Sequence, residues 1–298
     1  MHKFYYISDI HNEVRKDNNE FYLLPKIEDE AKSYLILAGD IDKLRTSKNI
    51  NESLTLFLKD VVFRFKAVFY VFGNHEYYGS TINHIEHKIR DLKNQLKADN
   101  FYILNNDIYE HNDFVIIGST LWTNFDNNKN VMFNVEDKFT GMRDYRKIKF
   151  KNNSNYSKLK ARNIFDINFQ SKQFIFDAIK KHKNKKVIVI THHAPTKDFT
   201  FKDGFESAYG NSYEQEILET KPDFWIHGHI HTRVQFKIGD TTILSNPLGY
   251  NNQEELVEHF KEDAHFIINN KEEEISISYP KEKLSEEELN LYLNNLKG

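Results

Sequence analysis

The sequence predicts an α/β fold, and three observations support that prediction. Short, nearly uninterrupted apolar runs recur along the first and middle parts of the 298-residue chain, as strands buried on both faces require. The longer segments between them repeat apolar residues at a spacing of three and four, which is the helical period. Strand and helix patterns therefore alternate, and this alternation is typical of an α/β core.

Six segments have the strand pattern and three have the helix pattern. The predicted strands are residues 4–8, 34–38, 67–72, 114–118, 187–191 and 224–226. The predicted helices are residues 51–66, 80–99 and 156–182. After residue 233 the pattern changes to two predicted hairpins, 234–238 with 241–244 and 265–269 with 275–279, followed by an acidic amphipathic helix at 284–296.

The chain shows neither an internal repeat nor a linker rich in Pro, Gly or Ser. We therefore predict that residues 1–298 form a single domain. It carries a loop-rich insertion at about 123–155 and a C-terminal hairpin plus helix at about 260–298.

Composition excludes several classes of protein. The 41 Lys and Arg residues nearly balance the 44 Asp and Glu residues, which leaves a net charge of −3 and no broad attraction to nucleic acid or to an anionic membrane. The absence of Cys excludes disulfides, thiolate zinc sites and cysteine nucleophiles. The N-terminus lacks the pattern of a signal peptide, and no apolar run reaches the roughly 20 residues of a membrane helix, so we expect a soluble, cytoplasmic protein.

Metal-ligating residue types follow five of the predicted strands. The five blocks are Asp9-Ile10-His11, Gly39-Asp40, Gly73-Asn74-His75-Glu76, His192-His193 and Gly228-His229-Ile230-His231. Because ligands of α/β sheets bind beyond the carboxyl ends of the strands, these side chains are expected to meet at one edge. Glycines before Asp40, Asn74 and His229 are expected to let the backbone turn sharply into that cluster.

The blocks supply two carboxylates, one amide oxygen and four imidazoles, on Asp9, Asp40, Asn74, His11, His192, His229 and His231. Such a mixed oxygen and nitrogen set suits two divalent ions. One carboxylate must bridge the ions to hold them roughly 3.5–4 Å apart, and Asp40 is the natural bridge. Taken singly, each carboxylate is more often a helix cap and Asn74 a turn residue, but independent caps have no reason to recur at five strand ends.

The ordered blocks D-x-H, GD, GNH-E, H and GH-x-H resemble those of the calcineurin-like metallophosphoesterase superfamily, and they run from Asp9 to His231. The resemblance implies a four-layer αββα sandwich with two mixed β-sheets. It assigns the first metal to Asp9, His11, Asp40 and His231, and the second metal to Asp40, Asn74, His192 and His229. It also implies that His75 contacts the phosphate or protonates the leaving group.

The activity implied is dinuclear-metal-dependent hydrolysis of a phosphate monoester or diester. A hydroxide that bridges the two ions is expected to attack phosphorus in line, so that no covalent phosphoenzyme forms. Mn²⁺, Fe and Zn²⁺ are all compatible with the ligands, and the sequence leaves the physiological substrate and the oligomeric state open.

Several further residues have two interpretations each. His193 and His227 adjoin ligands and either hydrogen-bond around them or simply pack, and His193 is also a candidate substrate contact. Asp42 either orients a ligand or is solvated. The remaining seven histidines are predicted to lie on the surface: His2, His84, His87, His111, His182, His259 and His265.

Two other functions stay open beside hydrolysis of a small phosphate ester. One is a metal-dependent nuclease, although little chain remains for a nucleic-acid-binding region after Gly249 and the net charge is slightly acidic. The other is a catalytically silent interaction module, although none of the expected ligands is missing. Nucleotide-binding and serine-hydrolase interpretations fail, because the chain has no G-x-G-x-x-G, G-x-x-x-x-G-K or G-x-S-x-G motif.

Overall fold

Two mixed β-sheets form the centre of the protein. The computed structural model describes residues 1–15, 21–44, 51–83, 85–250 and 259–269. The strands in this part of the chain are β1 (His2–Ile7), β2 (Tyr34–Leu37), β3 (Ala67–Tyr70), β4 (Phe101–Ile103), β5 (Asp107–Glu110), β6 (Phe114–Ser119), β7 (Lys149–Asn152), β8 (Asn155–Lys158), β9 (Lys186–Thr191), β10 (Phe224–His227), β11 (Val234–Ile238), β12 (Thr241–Ser245) and β13 (His265–Ile268).

The two sheets have similar topologies. The first has the order β13-β1-β2-β3-β4, and its strands are parallel except for β13, which pairs antiparallel with β1. The second has the order β11-β12-β10-β9-β6-β5, with a parallel centre and an antiparallel strand at each edge. Strands β7 and β8 form a separate hairpin.

Helices cover the outer faces of the two sheets. They are α1 (Glu52–Arg64), α2 (Glu86–Leu96), α3 (Lys129–Asn134), α4 (Asp144–Lys147), α5 (Ala161–Lys181), α6 (Glu206–Tyr209) and α7 (Glu214–Thr220). Tyr5, Leu35 and Val68 pack in one apolar cluster with α1. Their strand neighbours Phe4, Ile36 and Phe69 join side chains of the second sheet in another.

This alternation of faces produces four layers, because successive strand residues point to opposite sides of a sheet. Buried side chains of α5 and α7 pack on the far face of the second sheet, where Trp225 is fully buried. The order is therefore helix, sheet, sheet, helix, which confirms the predicted fold class.

All six predicted strands and the hairpin of β11 with β12 are confirmed, and two further predictions need correction. The predicted third helix begins at Ala161 rather than at residue 156, because the residues before it form β8 and pair with β7. The predicted second helix begins at Glu86 rather than at residue 80, because Thr81 bridges to Lys149 in an extended conformation. Strand β13 lies where the first strand of the second hairpin was predicted and pairs with β1, and the hairpin itself stays a prediction.

The segment predicted as an insertion contains the short helices α3 and α4 and the strand β7. The predicted strand at 275–279 and helix at 284–296 lie outside the described residues, as does His84. No helix in the described part of the chain is both long and apolar enough to cross a membrane.

Candidate metal centre

The five motif blocks meet at one edge of the two sheets. Each begins where β1, β2, β3, β9 or β10 ends, and the loops are joined by hydrogen bonds between neighbouring blocks. The backbone N–H of Asp9 donates to the carbonyl of Gly39, and that of Gly228 donates to the carbonyl of His192. The predicted ligands therefore come together on rigid strands, although they are spread over 223 positions from Asp9 to His231.

Five of the seven predicted ligands have left-handed backbone conformations. The φ angles are 52° at Asp9, 53° at His11, 53° at Asp40, 71° at His229 and 51° at His231. Non-glycine residues adopt positive φ uncommonly, and such conformations concentrate at functional sites because the surrounding structure must enforce them. The strained residues therefore lie at the same edge of the sheets as the motifs, which supports a functional site there.

The first group of ligand atoms surrounds the Nε2 atom of His11. His231 Nε2 lies 2.9 Å from it, Asp40 Oδ2 3.7 Å and Asp9 Oδ1 4.0 Å. His231 Nε2 is also 3.5 Å from Asp9 Oδ1. Asp9 and His11 are fully buried, and His231 is nearly so.

The second group surrounds the Nε2 atom of His192. Asn74 Oδ1 lies 3.0 Å from it, His229 Nδ1 3.2 Å and Asp40 Oδ1 3.4 Å. The two oxygens of Asp40 therefore face different groups, with Oδ2 toward His11 and Oδ1 toward His192. This is the arrangement expected of a bridging carboxylate.

The spacing of these atoms fits divalent ions. Bonds of about 2.0–2.2 Å from a metal to nitrogen and oxygen separate two adjacent ligand atoms by roughly 3.0–3.5 Å. In the described part of the chain, every ion-pair partner of Asp9 and Asp40 is an imidazole, so neither buried carboxylate is neutralised by Lys or Arg. The residues present therefore fit two metal ions.

The protonation states also suit ligation for most of the set. Burial and then repulsion from a neighbouring imidazole lower the pKa of His11 and of His229, so both rings are neutral at pH 7. Burial opposes the ionisation of Asp9 and Asp40, but the surrounding imidazoles outweigh it and lower both pKa values. For His192, burial favours the neutral ring, yet Asp40 and Asp9 raise its pKa to about 10, so metal ligation there releases a proton.

Three glycines allow the blocks to approach one another. A Cβ on Gly39 would lie 2.4 Å from His192 Nδ1, one on Gly73 would lie 2.0 Å from Asp40 Oδ1, and one on Gly228 would lie 2.6 Å from Asp9 Oδ2. Only Gly39 has a positive φ, of 89°. At Gly73 and Gly228, close packing rather than a positive φ is what excludes a side chain.

Glu76 connects the loop after β2 to the loop after β3. Its fully buried carboxylate accepts the N–H groups of Asp40, Ile41 and Gly73 at 2.7–3.0 Å, and the hydroxyl of Tyr70 at 2.6 Å. Burial and then repulsion from Asp40 raise the pKa of Glu76 to about 8, whereas the four donors favour the carboxylate. Glu76 thus fixes the backbone that carries Asp40 and Asn74.

Glu13 is a site residue that the motifs did not identify. Its Oε1 lies 2.5 Å from His75 Nδ1 and 3.3 Å from His11 Nδ1, so one carboxylate contacts both rings. Burial opposes its ionisation, but the hydrogen bonds from His11 and His75 hold its pKa below the usual range. Glu13 lies in the turn that follows His11, where the N–H of Val14 donates to the carbonyl of His11, and no motif marks that position in the sequence.

His75 lies beside the ligand groups and under two aromatic rings. Its Nε2 is 3.9 Å from Asp40 Oδ2 and 3.3 Å from the hydroxyl of Tyr250, and Tyr78 stacks on its ring at 4.2 Å between centroids. Burial alone would lower the pKa of His75, but Asp40 and Glu13 outweigh it and raise that pKa to about 9.

The other residues considered from the sequence have mainly structural contacts. His193 is buried between Trp122 and His229, with ring centroids 4.9 Å and 4.1 Å away, and its Nδ1 lies 3.4 Å from the carbonyl of Thr120. His227 is buried with its Nδ1 3.0 Å from the carbonyl of Gly228. The solvated interpretation of Asp42 is wrong: it is fully buried and accepts hydrogen bonds from Asn51 and Ser53, at the start of α1.

A family model described as calcineurin-like phosphoesterase matches residues 2–233. The chain belongs to the calcineurin-like phosphoesterase family. This phosphoesterase is 29% identical over 279 residues to uncharacterized protein L509 of Acanthamoeba polyphaga mimivirus, in an alignment that covers 83% of this chain and 91% of that protein. It also resembles the phosphopantetheinyl hydrolase PptH from Mycobacterium tuberculosis, with a TM-score of 0.62 at 15% identity over 84% of this chain and 90% of that one, which is a likeness of fold.

Membership confirms the resemblance drawn from the five blocks. The protein is a metal-dependent phosphoesterase, which acts on phosphate esters with divalent metal ions as cofactors, and its buried Asp and His groups are candidate ligands for those ions.

Proposed function

We propose that this phosphoesterase hydrolyses a phosphate monoester or diester with two divalent ions at the centre described above. Asp9, His11, Asp40 and His231 hold the first ion, and Asp40, Asn74, His192 and His229 hold the second. The observation that carries the proposal is the position of Asp40, whose two carboxylate oxygens face the two different groups of imidazoles.

Bound together, two divalent ions lower the pKa of water toward neutrality and offset the negative charge of a phosphate, and this chemistry allows direct attack by water. The burial of the ligand residues would keep bulk water from screening the charges at the centre. The hydrogen bonds to Glu76 and the tight packing at Gly73 and Gly228 hold those ligands in fixed positions before the substrate binds.

In this proposal His75 donates a proton to the leaving group. Its Nδ1 is held by Glu13, so its Nε2 is the atom turned toward Asp40 and the ligand groups. A histidine at this place can donate a proton to a departing alkoxide, a contribution typically of 10²–10⁴-fold. Glu13 is a positioning residue, and the hydroxyl of Tyr250 lies 3.3 Å from the other ring nitrogen, Nε2. His193, the other substrate contact proposed from the sequence, is buried against the ring of His229, and this burial favours a role in positioning His229.

Asp40→Ala tests the dinuclear assignment. The substitution removes a ligand from both ions, so we expect bound metal to fall at both positions and turnover of an activated aryl phosphate to vanish. Metal content is measured by mass spectrometry of purified protein, and Glu136→Ala, which removes a surface carboxylate paired with Lys160, is the matched control. Retention of two ions per chain with near-normal turnover in Asp40→Ala contradicts the proposal.

His75→Ala tests the role in leaving-group departure. Metal content should be retained, and kcat should fall most for alkyl esters, whose alkoxides need a proton, and least for a nitrophenyl ester, whose phenolate does not. The measurement is kcat/KM for both esters in the wild type and the variant. An equal loss on both would leave His75 with phosphate binding or packing only, and loss of metal would make it a ligand.

A further inference from the structure

A second group of metal-ligating side chains lies at the opposite end of the sheets from the catalytic centre. His2 is the first residue of β1, and His111 and Asp113 lie in the turn between β5 and β6. A strand rises about 3.3 Å per residue, so His2 lies roughly 20 Å from Asp9 at the other end of β1. The two groups therefore share no ligand.

The three side chains converge closely. One ring nitrogen of each histidine and one carboxylate oxygen of Asp113 all lie within 4.8 Å of one another. His2 Nε2 is 2.8 Å from Asp113 Oδ2, and His111 Nδ1 is 3.8 Å from the same oxygen. The side chains are 13%, 27% and 39% exposed for His2, His111 and Asp113, so one side of the group is open to water. The predicted surface position of His2 and His111 is therefore only partly correct.

The protonation states of His111 and Asp113 suit a metal ion. Burial and then repulsion from His2 lower the pKa of His111, and the hydrogen bond from His2 lowers the pKa of Asp113, so the ring is neutral and the carboxylate ionised at neutral pH. These are the forms that bind metals. Lys66 and Lys185 also act on His111, but Lys185 is paired with Glu110 at 3.2 Å and Lys66 lies over the ring of Tyr34.

Ligation would replace two hydrogen bonds, the contact of 2.8 Å between His2 Nε2 and Asp113 Oδ2 and a weaker one at His111. His111 Nδ1 accepts the backbone N–H of Asp113 at 3.2 Å, and an ion on that nitrogen would replace this hydrogen bond. The N–H lies in a turn with an exposed neighbour, so water can take over as its acceptor.

We propose that His2, His111 and Asp113 bind a transition-metal ion of the Zn²⁺ class, with water completing its coordination. Two imidazoles and one carboxylate form a ligand set that Zn²⁺ accepts, with an open position for solvent. His2 belongs to the five-stranded sheet, and the other two residues belong to the edge hairpin of the six-stranded sheet. A bound ion therefore cross-links the two sheets and stabilises the native state. This proposal is independent of the catalytic function.

The test uses Zn²⁺ itself as the probe. Chelator-treated wild type, His111→Ala and Asp113→Asn are loaded with Zn²⁺ and passed through a desalting column, and zinc per chain is then measured by mass spectrometry. The matched control is His259→Ala, which removes an exposed histidine. We expect His111→Ala and Asp113→Asn to bind one ion fewer than the wild type and the control, whatever the number held at the catalytic centre.

The Tm supplies a second readout. Zn²⁺ should raise the Tm of the wild type and of the control by more than it raises the Tm of either variant. Circular dichroism confirms that the variants are folded, and Asp113→Asn keeps the shape of the side chain. Equal zinc content in all four proteins overturns the proposal, and so does an equal deficit in His259→Ala, because that result describes adventitious binding to surface histidines.

Discussion

Gly228→Ala should weaken metal binding, because the new methyl group would displace the carboxylate of Asp9, a predicted metal ligand. The new Cβ would lie 2.6 Å from Asp9 Oδ2, 2.9 Å from the carbonyl oxygen of Ala38 and 2.9 Å from Ser8 Cβ. Ordinary contacts begin near 3.4 Å, so the carboxylate of Asp9 must move by several tenths of an ångström. Ser8 and Ala38 lie at the ends of the central strands β1 and β2, which hold them in place. The carboxylate of Asp9 is therefore the group expected to move.

The size of the effect follows from these contacts. Overpacking a well-packed interior costs about 1–3 kcal/mol, which corresponds to a Tm decrease of roughly 2–6 °C for a chain of this size. A ligand must be held within about 0.5 Å of its productive position. The same displacement should therefore reduce metal affinity, and with it activity at limiting metal, more than the loss of stability alone explains.

The assay compares metal titrations and melting curves of Gly228→Ala and Gly204→Ala. Gly204 has a φ of 89° with nothing within 4 Å of its would-be Cβ, so its substitution introduces backbone strain of about 1 kcal/mol away from the centre. The control should lose stability and keep its metal affinity. If Gly228→Ala binds metal as tightly as Gly204→Ala does, the close approach to Asp9 does not govern the site and the reasoning is refuted.

Two further predictions concern stability. Chelation should lower the Tm of the wild type but have much less effect on His229→Ala combined with His231→Ala, because a ligand bound only to the native state stabilises it; an unchanged wild-type Tm would contradict the site. Arg64 lowers the pKa of Glu30 through hydrogen bonds at 2.7–3.1 Å, so the pair stabilises the fold above the unfolded pKa of Glu30, and this stabilisation is lost as the pH falls through the lower folded pKa. Glu30→Gln should therefore cost no more than about 1 kcal/mol at pH 7, and denaturant titrations should show this cost shrinking as the pH falls through the folded pKa of Glu30; a cost that does not change with pH would contradict the linkage.

Local patterns predicted much of this fold because the central strands are buried on both faces. β1, β2, β3 and β9 read as apolar runs, and the polar residues that follow them mark the edge where ligands meet. The elements that were missed or misplaced lack that signal. β8 is exposed at all four positions, so its sequence carries no burial pattern, and it is identified only by its pairing with β7.

The missed site residues depend on contacts between distant parts of the chain. Glu13 contacts His75 across 62 positions, and nothing in the sequence around Glu13 specifies that partner. His2 and Asp113 are separated by 111 positions and lie in segments with no motif. Glu76 stood within a recognised block, but its role as the acceptor for two loops follows only from the register that places β2 beside β3.

The backbone conformations of the ligand loops affect the stability of the protein. Asp9, His11, Asp40, His229 and His231 all hold positive φ, and each such residue costs on the order of 1 kcal/mol or more. Hydrogen bonds within the centre enforce these conformations, since the carboxylate of Asp9 accepts the N–H of His229 and that of Asp40 accepts the N–H of His75. The loops are therefore strained in positions that suit ions, and metal binding would stabilise the native state that carries this strain. A sequence that relieved the strain by placing glycine at these positions would fold more easily, but it would lose the carboxylates and imidazoles for which the strain is maintained.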